Sequence, residues 1–526
     1  MYDLIFECGT VIDGTGSPGF KADVGVVADT IAAVGDLSQE RAARRINASG
    51  LMVCPGFIDI HTHTDITALA NPLMDSTIHQ GITTQLAGNC GLCVGMALDE
   101  PRFALERRLS RGTRRFSWSS LSEYLDCVQD QGIATNFAVL AGHNTVRKRV
   151  MNMEPRAPTS DELDAMKALV AEAMDEGAFG LSTGLEYTPG RFAELPELVE
   201  LARVAAEKGG FYATHLRSEA DGLLDSVAEA LAIGREAGIP VQLSHHKAEA
   251  RRNWGMVDRS LAMVDRACAE GLDVALDQYP YTAFMTGMWL RVLPEWAQKG
   301  EADEMIARLT DPEERRRVLE GIRARNVDWD LLQIAVARGH RELQGRTVAE
   351  IAKERNADPA ETALDILIAE RGMASVISFD MSEEDVRKVM RHPLTAIGSD
   401  GVSTTSYGRL GEDRPHPRSY GTFPRVLGRY VRELGLLSWE DAVRKMTSLP
   451  ASRIGLERRG VLAKGNVADL VAFDPDTVID VATYSEPHRF PAGIQYVVVA
   501  GTVVIDDGIH TGARPGRVLR RGQAGL

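Results

Sequence analysis

Two histidines one residue apart, His61 and His63, close the apolar run GFIDIHTH. Alternate side chains of an extended strand face the same way, so both imidazoles can address one metal ion. A surface or turn pair is the plain alternative. Four other short apolar segments also stop at a residue able to bind a metal or move a proton: GITTQLAGNC at Cys90, FYATH at His215, VQLSH at His245 and LTAIGSD at Asp400. Random placement rarely ends five strand-like runs this way. SDG also suits a helix start, so a cap or a simple ligand is the competing role for Asp400.

The elements that must position these residues follow a regular rhythm from about residue 56 to residue 400. An amphipathic helix is followed by a glycine and then by a short apolar run, the pattern of parallel βα units. The clearest helix starts at Thr159-Ser160-Asp161-Glu162, a capping box, and carries Leu163, Met166, Leu169, Ala173 and Met174 on one stripe before Gly177. Gly210, Gly238 and Gly271 continue the series at intervals of about 30 residues, the length of one βα unit. GFIDIHTH, GITTQLAGNC, NFAVLAGH, AFGLSTG, FYATHLR, IPVQLSHH, LDVALDQYPY and LTAIGSDG make eight strands. The fold class expected is α/β, a (β/α)8 barrel of the TIM type over residues 56–444, with active-site groups at the C-terminal rim. Residues 1–55 and 445–526 alternate apolar and polar and read as one small β-sandwich domain shared by both chain ends. Residues 284–350, charged and helical in character, read as an insertion near the barrel mouth and a possible lid.

With 44% hydrophobic and 25% charged residues among 526, the chain can bury a large core and is not disordered. A net charge of −15 argues against nucleic acid or an anionic membrane as partner. MYDLIFECGT has neither a basic n-region nor an apolar h-region, and no stretch approaches a membrane span, so a cytoplasmic protein is expected, a monomer or a small homo-oligomer. Six scattered cysteines form no disulfide framework. Cys90 and Cys93 alone form a CxxC, which leaves a half zinc site or a redox pair open. His79, His340, His392, His488 and His510 sit in helix or loop contexts that suit solvent-facing roles. His143 ends the third strand and can line the mouth, His246 should point away from the axis if His245 points in, and His416 is unassigned.

The segments GFIDIHTHTD, GITTQLAGNCG, GLEYTPG, THLRSE, SHHK, DQYPYTA, GSDG and HPRSYGTFPRVLGRYV resemble the D-aminoacylase (N-acyl-D-amino-acid deacylase) branch of the amidohydrolase superfamily, nearly end to end. The resemblance implies that His61 and His63 form one metal site and Cys90, His215 and His245 the other, with Cys90 able to bridge. Thiolate, imidazole and carboxylate together favour zinc, one ion or two. Many relatives bridge their metals with a lysine on the fourth strand; AFGLSTG has none, which counts against a hydantoinase or dihydroorotase. Zinc lowers the pKa of its bound water towards about 7, and Asp400 would take that water's proton and pass it to the leaving amine. Tyr187, Lys247, Tyr279 and Tyr281 are candidates for the substrate's carboxylate by resemblance and by position, with packing aromatics and a solvated rim charge as the plain alternative; Arg291 in the insertion could serve an acidic side chain. The expected reaction is hydrolysis of N-acyl-D-amino acids, neutral or hydrophobic side chains being favoured. A dipeptide with a D-configured C-terminal residue, a cyclic amide, or a metal-free scaffold are the alternatives.

Overall fold

The computed structural model describes residues 1–97 and 118–523. Eight parallel strands ring the barrel: β1 Phe57–Asp59, β2 Ile82–Ala87, β3 Asn136–Val139, β4 Gly180–Gly184, β5 Phe211–His215, β6 Val241–Leu243, β7 Val274–Gln278 and β8 Thr395–Ile397. All are buried along their whole length, as parallel strands covered by helices must be. Pairing runs β1–β2–β3 and β4–β5–β6–β7–β8. Ala141 and Gly142, continuing β3, pair with Leu181 and Ser182 of β4 and fill the first gap. The second gap, between β8 and β1, closes just past the strand ends: Thr62 bridges Gly401, and the Asp400 N–H donates to the His61 carbonyl at 2.7 Å. The ring is thus sealed by the residues that carry the expected chemistry.

The helix Ser160–Asp175 starts at the full Thr159/Glu162 capping box and buries Met166, Val170, Ala173 and Met174. Burying each of the larger of these side chains stabilises by roughly 1.5–3 kcal/mol. Gly177 (φ +113°), Gly238 (+65°) and Gly271 (+93°) make the turns into β4, β6 and β7; before β5 the left-handed residue is Gly209 (+71°), one position ahead of the expected Gly210.

Both chain ends meet in one nine-stranded sheet. Met52–Pro55 lies parallel to Tyr2–Val11 on one side and antiparallel to Leu470–Phe473 on the other, and Leu4, Phe6, Val24, Leu470 and Val498 pack in its core. The C-terminal part of this unit does not begin at 445. Ala451, Ile454 and Leu456 plug the inside of the barrel against Ile58, Leu86 and Phe211, and Leu519 from the final segment joins the same cluster. Apolar residues at the helical spacing of Ser448–Ile454 face the barrel, so this stretch belongs to its floor.

The insertion expected over 284–350 runs on to Ser378. Its three-stranded sheet puts Ser375–Ser378 between Phe284–Gly287 and Leu332–Val336, so the segment cannot end before its central strand. Met288, Leu309, Val318, Ile334, Leu364 and Val376 form a core separate from that of the barrel. Among the described residues no helix is long and apolar enough to cross a membrane.

Candidate metal centre

Three of the expected site residues stand in a backbone conformation that L-residues seldom adopt: Cys90 (φ +52°), His245 (+34°) and Asp400 (+49°). Each lies two or three residues past a strand end, where the left-handed twist turns the side chain into the barrel axis. Such positions cost of order 1–3 kcal/mol and persist only where the surroundings over-determine them. Around Cys90 the surroundings are tight. A Cβ added to Gly91 would meet Asn144 Oδ1 at 2.0 Å, and one added to Gly184 would meet the Cys90 carbonyl at 2.2 Å. Asp59 ties β1 to β8 by accepting from the Ser399 backbone N–H (2.9 Å) and its hydroxyl, and burial pushes its pKa up to about 6.

The side chains converge on a single point. Cys90 Sγ lies 3.4 Å from His61 Nε2, 3.5 Å from His245 Nε2 and 3.8 Å from His215 Nδ1, and the last two nitrogens are 2.9 Å apart. On the other side, Asp400 Oδ1 is 3.1 Å from His63 Nε2 and 3.7 Å from His61 Nε2. His61, Cys90 and His245, then His61, His63 and Asp400, and also His215, Glu219 and His245, each bring three ligand atoms within 4.8 Å of one another.

The outward nitrogen of three of the rings meets a carboxylate: His61 Nδ1 with Asp277 at 3.1 Å, His215 Nε2 with Glu186 at 3.0 Å, His245 Nδ1 with Glu219 at 3.0 Å. A carboxylate there holds the proton on the outer nitrogen and frees the inner lone pair for a metal. The charges agree. Burial raises the Cys90 thiol, but the positive charge of His61 and His245 outweighs it and brings the pKa well below the usual value. Burial opposes charging of the rings, yet Asp400 and Cys90 raise His63 to about 9, and Glu219, Cys90 and Glu186 raise His215 to about 10. This demand for positive charge amid soft and nitrogen donors is what a zinc ion would meet, so the residues present fit that metal.

Asp400 is buried and ionised. Burial favours its neutral form, but Arg418, with Nη1 2.7 Å from Oδ2, His245 and the His63 contact hold its pKa well below the usual range. Arg418 also stacks 4.8 Å above the Tyr279 ring. Lys247, buried, pairs with Glu219 and lies 5.9 Å from the Tyr279 ring centre, and the Tyr187 ring is 4.7 Å from that of His215. Tyr281 is not brought to this cluster: β7 ends at Gln278, the chain turns, and its hydroxyl faces Asp480 (3.3 Å) and the Pro417 carbonyl (3.5 Å). Arg291 donates to Glu249 at 2.9 Å and to Asp380 at 2.8 Å.

His143 bonds Glu197 (2.9 Å) within an ion pair to Arg147, away from the cluster, and His246 turns outward to Ser260 (2.7 Å) as alternation requires. His416 joins the Ala283 carbonyl to the Arg418 N–H. His79, expected in solvent, is stacked on Phe490 at 3.9 Å. Cys93 is buried in the apolar core with its thiol pushed up, an environment opposite to that of Cys90.

Glu186, Glu219, Asp277 and Arg418 were not among the expected site residues, although each lies inside a segment already singled out: GLEYTPG, THLRSE, DQYPYTA and HPRSYG. The available signal was charge. Four ionisable residues in segments that hold or neighbour candidate site residues call for partners once the barrel mouth buries them.

The sequence pattern of the amidohydrolase family matches residues 44–505. D-aminoacylase of Alcaligenes xylosoxydans xylosoxydans is 40% identical over 521 residues, covering 99% of this chain and 98% of the relative. N-acyl-D-glutamate deacylase of the same organism is also 40% identical over 521 residues, covering 99% and 96%. The crystal structure of N-acyl-D-glutamate deacylase from Bordetella bronchiseptica, complexed with zinc and a phosphonate inhibitor that mimics the reaction's tetrahedral intermediate, superposes with a TM-score of 0.83 at 38% identity, over 99% of each chain. With a full-length match in sequence and in fold, the chain belongs to the D-aminoacylase branch of the amidohydrolase family.

Proposed function

We propose that the protein is a zinc-dependent deacylase that hydrolyses N-acyl-D-amino acids to a carboxylate and a free D-amino acid. The observation that carries this reading is the convergence of Cys90, His61, His215 and His245 on one point, with Asp400 on the His63 side of it. His61 and His63 would hold one ion, and Cys90, His215 and His245 the other, with Cys90 able to touch both. Bound there, zinc supplies a water acidic enough to attack at neutral pH and polarises the amide carbonyl. Asp400 takes the proton of the attacking water on Oδ1, the oxygen facing the histidines, while Arg418 holds Oδ2. It then delivers the proton to the leaving nitrogen as the C–N bond breaks, because an amide anion is too poor a leaving group to depart unprotonated.

Lys247, Tyr187 and Tyr279 are the groups we assign to the substrate's carboxylate. Replacing Tyr187 by Phe is expected to raise KM about 3- to 10-fold with little change in kcat, the loss of one hydrogen bond to a charged or polar group, read in steady-state kinetics. Arg291 already answers two carboxylates, Glu249 and Asp380, which leaves no surplus positive charge for an acidic side chain. Neutral side chains therefore fit best. The insertion that carries Arg291 is assigned as the cover of the site, and the unbridged thiols of Cys8, Cys54, Cys90, Cys93 and Cys268 support a reducing, cytoplasmic compartment.

Hydrolysis of paired N-acetyl-D- and N-acetyl-L-leucine, with N-acetyl-D-glutamate beside them, tests the reading. Release of D-leucine alone is expected. Release of the L-amino acid at an equal rate, or of neither by protein that holds zinc, would sink it, and faster release of D-glutamate would overturn the assignment of neutral side chains.

A further inference from the structure

Zinc needs the lone pair of His245 Nε2, the nitrogen beside Cys90, so in a neutral ring the proton must sit on Nδ1. Two groups of opposite demand stand at that Nδ1. Glu219 Oε1, 3.0 Å away, can only accept and so requires Nδ1–H; Lys247 Nζ, also 3.0 Å away, can only donate and so favours a bare Nδ1 with the proton on Nε2. Glu219 itself is 2% exposed, four residues after His215, and its other oxygen reaches His215 Nε2 at 3.7 Å and the Lys247 ammonium. A backbone bond from the Glu249 N–H to the Glu219 carbonyl, 2.7 Å, fixes the loop that carries it.

We propose that Glu219 is the positioning residue that decides which nitrogen of His245 carries the ring proton, keeping Nε2 bare for the metal by accepting Nδ1–H and holding the Lys247 ammonium off that nitrogen. The proposal rests on the zinc-deacylase reading only for the identity of the metal. Asp277 and Glu186 each face one imidazole, and among the described residues no cation is opposed to them at that ring nitrogen. Among the described residues of the site, Glu219 is the one that stands between a ring and a lysine. With its charge removed, the lysine donates to Nδ1 and the imidazole proton moves to Nε2, where it blocks the metal.

Zinc affinity by chelator competition, with no substrate present, tests this. Glu219→Gln is expected to weaken zinc binding about 10- to 100-fold, the usual cost of losing a partner behind a ligating histidine. The double variant Glu219→Gln/Lys247→Met should regain most of that loss, since the glutamine carbonyl can accept Nδ1–H once no ammonium competes for the nitrogen. Unchanged zinc affinity in Glu219→Gln would overturn the proposal. So would a double variant that binds zinc no better than the single one, which would make Glu219 a plain structural partner. Because the readout is zinc binding, a protein that binds zinc in this pattern but releases no D-amino acid would refute the deacylase reading and leave the role of Glu219 standing.

Discussion

Stripped of zinc with a chelator, the protein is expected to lose at least about 1000-fold in D-amino acid release and to regain activity when zinc is returned. The expectation follows from what the site contains otherwise. Asp400 is the carboxylate in contact with His63, it is ionised, and it is held by Arg418. A carboxylate of depressed basicity cannot by itself generate an attacking hydroxide from bulk water, whose pKa of 15.7 lies far above its own. His63 and His215, drawn towards their charged forms by Asp400, Glu219 and Cys90, already hold a proton at neutral pH when no metal is bound and have no lone pair to take another. The drop in rate on chelation, measured against zinc content, is the check, and full activity at less than a tenth of an equivalent of zinc would contradict it. The same titration counts the ions: activity that levels at one equivalent assigns the chemistry to a single ion, and activity that needs two assigns it to the pair.

Asp400→Asn should lower kcat about 100- to 10,000-fold, the range in which a positioned proton carrier contributes, while zinc stays bound and KM changes little. This substitution is a clean one on structural grounds. Asp400 stands at φ +49°, and asparagine is among the few residues that accept that region readily, so the backbone bond to His61 that helps close the barrel is kept. The amide still accepts from Arg418 and can still lie beside His63. What it cannot do is take a proton from water or hand one to nitrogen. A kcat within threefold of the parent, in protein of equal zinc content, would remove Asp400 from the reaction and leave it as a ligand or a seal of the β1–β8 seam.

The barrel was legible because its signals are local. Capping at Thr159, the buried stripe through Met166 and Met174, and glycines with φ near +65° to +113° are consequences of neighbouring residues. The insertion was harder to bound. Its last strand, Ser375–Ser378, is four residues long and is explained only by the partners on its two sides, one of them more than ninety residues earlier in the chain. The plug formed by Ala451, Ile454 and Leu519 was hidden for a similar reason, since an apolar residue near a chain end does not state which interior it fills.

Residue types at the ends of β-strands were enough to single out His61, His63, Cys90, His215, His245 and Asp400, because a parallel barrel delivers every strand end to one rim. Order along the chain does not give the rotation of a ring about its own bonds. Which nitrogen of each histidine looks inward, that Glu219 stands between His245 and Lys247, that Arg418 holds Asp400, and that Tyr281 turns away to Asp480 all depend on loops meeting across the mouth from positions as far apart as 63 and 400. The amino-acid sequence by itself determined the strands, the rim and the candidate ligands that gather there; only the closed ring decided their orientation and their partners, because a hydrogen bond is set by direction over about 3 Å and sequence spacing carries no direction beyond the element it lies in.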